Sequence, residues 1–333
     1  MAPVVAVATF LVSLAITLGA AELFAARLDR LGTRFGLSEA LVGLLTALAA
    51  DGPEISSALV ALAKGAHTVS VGVLVGSNVF NLAAMIGVSA LVAGAVRLPR
   101  ESLVLEGSVG LLVTLVGSAV LLGAIGPTIG AVLCAAVLLP YLFAVIGGPE
   151  RLGRLNLGGR AAEVVRRAVD ERERIPAPRA TSTAHPAREV LLMVGEVLLI
   201  VGGSFGMVQA VISLGDRWDI SGAVIGVLIL APLTSLPNAF TALRLGRHGR
   251  GSALVTETFN SNTINLLFGI VVPGILVGIA SVSTTGKVNV AWMVAMTLIS
   301  VALLARRRGV GRASGVLLVG LYAGFVVTQL ALG

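Results

Sequence analysis

Ala47-Leu-Ala-Ala-Asp-Gly-Pro-Glu54 and, 184 residues further on, Ala231-Pro-Leu-Thr-Ser-Leu-Pro-Asn238 are two versions of one segment. Each is followed by a second shared motif, Gly76-Ser-Asn-Val-Phe-Asn81 in the first half and Asn260-Ser-Asn-Thr-Ile-Asn265 in the second. The same shift superimposes Pro53 on Pro237, Glu54 on Asn238, Ser77 on Ser261, Asn78 on Asn262 and Asn81 on Asn265. Both copies place proline and oxygen-bearing side chains inside apolar surroundings. Duplicated, interrupted helices of this kind are the sequence pattern of an ion-coupled transporter, whose discontinuous helices meet near the bilayer midplane.

Composition supplies the solvent. The chain has 333 residues, of which 56% are hydrophobic and 12% charged, with 41 glycines and a mean hydropathy of +0.98. Soluble domains carry about 25% charged residues, so this is an all-α polytopic membrane protein with the lipid bilayer as its first partner. The first apolar run has no cationic start and no cleavage site, and reads as a retained helix rather than a signal peptide. The lone Cys134 cannot form an internal disulfide. A net charge of +7 raises the question of nucleic acid, but the charges fall between apolar segments, so none is expected as a partner. His67, His185 and His248 lie in connections without metal-ligand spacing. No His-Glu-x-x-His or Gly-x-Ser-x-Gly run is present. Asp51 is the only aspartate deep in an apolar segment, so an aspartyl protease pair is missing too. The chain is not expected to be an enzyme, and no catalytic residue or cofactor is assigned.

Segments long enough to span a bilayer, about 17–25 residues each, fall at 3–25, 38–63, 69–94, 102–123, 127–146, 189–213, 220–244, 252–280, 288–305 and 314–332. Charge placement tests that count independently. The connections after the first, third, fifth, seventh and ninth segments hold Arg27, Arg30 and Arg34, then Arg97 and Arg100, then nine arginines between 151 and 188. They continue with Arg244, Arg247 and Arg250, and finally Arg306, Arg307, Arg308 and Arg312, together 21 of the 24 Lys and Arg. The remaining connections hold Lys64, Arg217 and Lys287. Cationic loops stay on the cytoplasmic side. The expectation is therefore ten transmembrane helices in a bacterial-type plasma membrane, both termini outside and the 147–188 loop cytoplasmic. Five helices, a loop and five more make the halves 1–146 and 189–333 inverted five-helix repeats. The 147–188 linker is too short for a domain with its own core. It contains an Arg/Glu-rich stretch, 160–174, able to form a short surface helix. Homo-oligomerisation is left open.

The physical case for a cation site rests on oxygen ligands. Pro53 and Pro237 each remove a backbone donor, freeing carbonyls around 49–52 and 233–236 that are tolerable only beside a cavity or an ion. Asp51 and Glu54 contribute carboxylates, and lie on one face wherever the helix is continuous. Ser77, Asn81, Thr234, Ser235, Asn238, Ser261 and Asn265 offer neutral oxygens. Such a set suits hard inorganic cations, Ca²⁺ or Na⁺ in particular.

Pro-Glu after a small polar run, then Gly-Ser-Asn-x-Phe-Asn, resembles the α-repeat of the cation/Ca²⁺ exchanger superfamily, and Thr234-Ser-Leu-Pro237 resembles the same repeat. The resemblance implies antiport of Ca²⁺ against Na⁺ or H⁺ by alternating access, with helices 1 and 6 sliding across a core of helices 2, 3, 7 and 8. The chain departs from that pattern. Thr-Ser has become Ala50-Asp51, the second repeat's glutamate has become Asn238, and its glycine has become Asn260, with Glu257 three residues earlier. Asp51 restores the lost charge on one reading. On the other it caps the helix beginning near Pro53. Asn78 and Asn262 are read chiefly as interhelical hydrogen-bonding groups. Glu257 lines an entrance or pairs with Arg250. Glu22, Glu106 and Glu196, near helix ends, are expected to reach the interface. The competing function is an exchanger-fold membrane protein without transport, a scaffold or cation sensor.

Overall fold

The computed structural model describes residues 1–34, 45, 47–154, 163–167, 186–278 and 282–332. Helix α1 spans Pro3–Arg34, α2 Gly52–Ala63, and α3 His67–Asn81, which continues through a π-helical turn at Leu82–Val88 into Ser89–Ala93. After a short strand β1, Ala95–Val96, come α4, Arg100–Leu121, and α5, Pro127–Arg154. The second half has α6, Pro186–Trp218; α7, Gly222–Thr234, with a π-helical turn at Gly226–Leu230; and α8, Leu236–Arg247. It ends with α9, Gly251–Leu266, extended through a π-turn at Leu267–Val271 to Val277; α10, Thr284–Leu304; strand β2, Val310–Gly311; and α11, Arg312–Leu332. The strands pair antiparallel, Ala95 opposite Gly311 and Val96 opposite Val310.

Among the described residues eight helices are long and apolar enough to cross a bilayer, and α7 with α8 forms a further passage bent by 48° at Ser235. Helix α2 alone, at 12 residues, is too short to cross. Residues 35–44 and 46, which the second expected segment requires, lie outside the described ones. Helices α5 and α6 run past the ends of their apolar stretches, to Arg154 and from Pro186, because a helix pairs its own backbone groups wherever the solvent changes. The end of an apolar run therefore marks the end of the lipid and not of the helix. Of the expected 160–174 surface helix, 163–167 are helical, with Glu163 bonded to Arg166 at 2.7 Å and to Arg167 at 2.8 Å. The other residues of that stretch lie outside the described ones.

The distribution of polarity is that of a membrane protein. Val4, Leu191, Leu198, Leu276, Leu139 and Val327 face outward, each more than 60% exposed. Asp51, Glu54, Ser77, Asn78, Asn81, Ser235 and Asn265 have no exposed surface at all. Contiguous apolar surface on this scale is tolerable only against lipid or a partner. Two of the glutamates expected at the interface are inside. Glu106 is 4% exposed and Glu196 5%, because each finds a donor on another helix, which the sequence neighbourhood of an acid does not reveal. Tyr141 serves Glu106 at 3.0 Å, and Arg27 serves Glu196 at 2.6 Å and Glu189 at 2.9 Å. Glu22 is exposed, as expected.

Small residues let the central helices touch. A Cβ on Gly76 of α3 would meet the Ala231 Cβ at 2.8 Å and the Val227 Cα at 2.9 Å of α7, and one on Gly72 would meet the Ala223 carbonyl oxygen at 2.9 Å. The backbones of α3 and α7 are thus in direct contact, the close approach that glycine permits in membrane bundles. In the same way Gly203 and Gly206 of α6 admit Thr17 and Ser13 of α1. Replacing Gly76 with Leu must separate α3 from α7, and overpacking of this kind costs about 1–3 kcal/mol or more. Gly195 has open space around it. The expected outcome is a clear fall in the melting temperature of detergent-solubilised Gly76→Leu and none for Gly195→Ala.

Candidate cation site

The two proline motifs break their helices at equivalent places. Residues 47–50 are helical, Asp51 is a turn, and α2 starts at Gly52; in the second half α7 ends at Thr234, Ser235 is a turn, and α8 starts at Leu236. Asp51 and Ser235 are 184 residues apart, the spacing of the sequence repeat. Pro53 has no N–H to give Ala49 and Pro237 none to give Leu233, so those carbonyls lack their ordinary helical donors. The second motifs behave alike too, since π-turns begin at Leu82, directly after Asn81, and at Leu267, two residues after Asn265. Such turns put an extra residue into a helix and recur at functional sites.

These breaks carry the acids and their partners into one buried network. Asp51 occupies the N-cap position of α2, yet its side chain caps no backbone N–H. Instead its Oδ1 accepts from the Ser261 hydroxyl at 2.6 Å and the Asn238 amide at 2.7 Å. The capping reading of Asp51 is therefore set aside. Glu54 Oε1 accepts from the Ser235 hydroxyl at 2.6 Å and from the Asn238 amide at 3.4 Å. Asn81 donates to Ser261 Oγ at 3.0 Å and to Asn262 Oδ1 at 3.1 Å. One amide thus holds a carboxylate from each end of the first motif, and the first half's acids are bonded entirely by the second half's side chains.

Behind this network the halves are cross-braced. Asn78 donates its amide to the Asn262 carbonyl at 3.4 Å, and Asn262 returns its own to the Asn78 carbonyl at 3.1 Å. The exchange is reciprocal between repeat-equivalent residues. Asn265 reaches the same brace, its amide 3.5 Å from Asn78 Oδ1. Thr234 spends its hydroxyl hydrogen on the Leu230 carbonyl of its own helix at 2.8 Å, and Ser77 is fully buried without a partner among the described residues. Of the nine anticipated residues, Asp51, Glu54, Asn81, Ser235, Asn238 and Ser261 form one network, with Asn265 joined to it through Asn78. Ser77 and Thr234 are buried on the same helices outside it.

What this arrangement offers is unspent oxygen. Asp51 Oδ2, Glu54 Oε2, Ser77 Oγ, Asn81 Oδ1 and Asn265 Oδ1 are buried with no hydrogen-bond partner among the described residues. Asn238 Nδ2 lies 2.7 Å from one carboxylate and 3.4 Å from the other. The two acids are therefore within about 6 Å, where two negative charges repel by roughly 3 kcal/mol even at an effective dielectric constant of 20. A pair of buried carboxylates with an oxygen to spare on each is a receptor for positive charge. Its sequence signals were the proline and acid pattern. The neighbouring Glu106–Tyr141–Asn260 contact, 3.0 Å on either side of the phenol, carries no such signal, because its three members come from three different helices.

The family model described as Sodium/calcium exchanger protein matches residues 5–147 and 189–331. The chain belongs to the sodium/calcium exchanger family. That is a family of exchangers and not of enzymes, and its members' membrane setting agrees with the apolar helices found here. Among solved structures, this exchanger-family chain is similar to YfkE, with a TM-score of 0.66 at 15% identity, covering 97% of this chain and 92% of that one. It is also similar to the sodium-calcium exchanger NCX_Mj, at 0.60 and 19%, covering 98% and 99%. At these identities the likeness concerns the fold. Among curated proteins it is 32% identical over 84 residues to CaxA of Alkalimonas amylolytica and 33% identical over 104 residues to the sodium/potassium/calcium exchanger 4 of Homo sapiens. Those matches span 26% and 17% of the two relatives' lengths.

The brace and the acids should separate experimentally. Asn78→Ala breaks the brace and leaves the Asn265 amide without the oxygen it reaches, and an unsatisfied buried polar group costs about 1–3 kcal/mol. The expected result is a lowered melting temperature in cation-free buffer. Asp51→Asn keeps the shape, removes a repelling charge, and is expected to melt no lower than wild type in the same buffer.

Proposed function

We propose that this exchanger-family protein is a secondary active cation antiporter, moving Ca²⁺ against Na⁺ or H⁺ by alternating access. The observation that carries the reading is the pair of fully buried carboxylates, Asp51 and Glu54, each with one unpartnered oxygen and both held by Asn238 from the other half. The ligand set is Asp51, Glu54, Ser77, Asn81, Thr234, Ser235, Asn238, Ser261 and Asn265, all of which the structure buries, together with the carbonyls released at Ala49 and Leu233. Hard cations take six to eight such oxygens.

The architecture that serves this function is ten transmembrane helices in two inverted five-helix repeats, 1–146 and 189–333, joined by the 147–188 linker. Equivalent helix breaks, equivalent π-turns and the reciprocal Asn78–Asn262 exchange support the repeat. The alternation of arginine-rich connections supports a cytoplasmic linker and outer termini. Antiport follows from shared charge. A site with two carboxylates is neutralised by one Ca²⁺ or by a smaller set of monovalent cations or protons, so the two loads exclude one another, and no ATP is required. Asp51 supplies the charge that Asn238 lacks, and the 2.7 Å contact between them supports this compensation. Helices α1 and α6, packed glycine to hydroxyl on each other and joined to α2 through the 2.5 Å contact of Ser56 with Ser204, form the unit that slides across the core.

The test is uptake of labelled Ca²⁺ into proteoliposomes under an imposed Na⁺ or pH gradient. Wild type is expected to take up Ca²⁺ under one of them and Glu54→Gln under neither. Cation binding by the solubilised protein gives a second readout, since a ligand at a hundred times its Kd stabilises by about 2.7 kcal/mol. Ca²⁺ is expected to raise the melting temperature of wild type and to do so much less for Asp51→Asn. Stabilisation without uptake under either gradient identifies the scaffold or sensor instead, and an Asp51→Asn protein that responds like wild type removes the compensation.

A further inference from the structure

Glu257 is a carboxylate the site does not use. It lies one helical turn before Ser261 on α9, so the two side chains share a face, about 5–6 Å apart at their Cβ atoms. Ser261 is the residue whose hydroxyl grips Asp51 at 2.6 Å. Glu257 is partly exposed, while Asp51 and Ser261 are buried. Helix α9 starts beside the Arg250 connection and rises toward Ser261, so Glu257 lies on the Arg250 side of Ser261. The expected partner does not hold it. Arg250 makes no ion pair with Glu257, and its Nε is buried without a hydrogen bond. Among the described residues Glu257 has no ion pair or hydrogen bond of any kind.

An unpaired acid inside an apolar span is costly and marks an ion path. Asp51 Oδ2, fully buried and unpartnered, shows that the nearest acid also has an oxygen free for a ligand. The three acids do not converge on one point, for no group of three His, Cys, Asp or Glu side chains able to hold a metal occurs among the described residues. They are arranged in sequence along the helices: Glu257 outermost, then Asp51, then Glu54.

We propose that Glu257 with Asp51 forms a staging site for a divalent cation on the cytoplasmic approach, loaded before the ion reaches Glu54. The proposal rests on the exchanger reading and on the cytoplasmic assignment of the Arg250 connection. A cation arriving from that side trades part of its hydration for Glu257 while still in contact with water. It then passes to Asp51 as Ser261 and Asn238 release the carboxylate, and is held at last by Glu54 and the neutral oxygens. The same residue makes the two faces of the transporter unequal, because its counterpart in the first repeat, 184 residues earlier on α3, is Val73, which carries no charge.

The measurement is Ca²⁺ flux in proteoliposomes with Ca²⁺ offered from either face in turn, comparing wild type, Glu257→Gln and Glu257→Asp. Losing one carboxylate near a divalent ion is expected to raise the half-saturating Ca²⁺ on the cytoplasmic face about tenfold. The outer-face value and the maximal rate should hold, and Glu257→Asp should recover most of the loss. Unchanged half-saturation at both faces, or an equal shift at both, overturns the staging role. A Glu257→Gln protein that fails to fold shows as a lowered melting temperature without Ca²⁺; Glu257→Ala, which removes the carboxylate at this partly exposed position, then decides, a wild-type cytoplasmic half-saturation overturning the role. Wild type that neither transports nor is stabilised by Ca²⁺ defeats the exchanger reading and this inference together. Active wild type with an indifferent Glu257→Gln defeats this inference alone.

Discussion

Two carboxylates within about 6 Å of each other, with no exposed surface and in the interior of an apolar bundle, are the constraint around which this protein is organised. Neither lipid nor the described side chains supply a countercharge to them. Hydrogen bonds from Ser235, Asn238 and Ser261 blunt the electrostatic cost without cancelling it, because each is a neutral donor. Among the described residues the pair is therefore left without compensating positive charge. Transport by exchange is one way to use an energetic deficit of this kind, since the deficit ensures that one load leaves only as another enters.

The rest of the fold keeps that deficit in place. Glycines bring α3 and α7 into backbone contact, so these two motif-bearing helices pack without side chains between them. The Asn78–Asn262 exchange ties the halves together one layer behind the acids. At the edge, α1 and α6 are clasped by Arg27, whose guanidinium bonds both Glu189 and Glu196. Among the described residues this ion pair joins the two long helices to each other.

How far the sequence reveals this depends on the range of each interaction. Proline breaks and small-polar motifs are local, and a shift of 184 residues exposed them without any structure. The charge alternation of the connections is likewise written along the chain. The site residues were legible for the same reason, though their grouping was not. Nothing in the order of residues says that Asp51 bonds Ser261 and Asn238 and leaves its own helix N-terminus uncapped, because an aspartate before Gly-Pro satisfies the capping signal equally well. Glu106 and Glu196 were misplaced on the same ground. Proximity to a helix end suggests the interface, and only the packing of α4 against α5, and of α1 against α6, brings the phenol and the guanidinium that bury them.

The π-turns have a consequence for how such a site can change over time. A π-turn holds one residue more than the α-helix it interrupts, and the turns at Leu82–Val88 and Leu267–Val271 lie just beyond Asn81 and Asn265. Each acts as a phase-shifter, since removing its extra residue would turn the distal part of the helix by about 100° relative to the site. The binding halves of α3 and α9 are thereby uncoupled in register from their outer halves. The faces that meet lipid, α11 and the β1–β2 ladder can be altered independently of the faces that meet the ion. A scaffold with that freedom can exchange its polar groups, as Asn238 at the second-half counterpart of Glu54 illustrates, without having to refit the rest of the bundle.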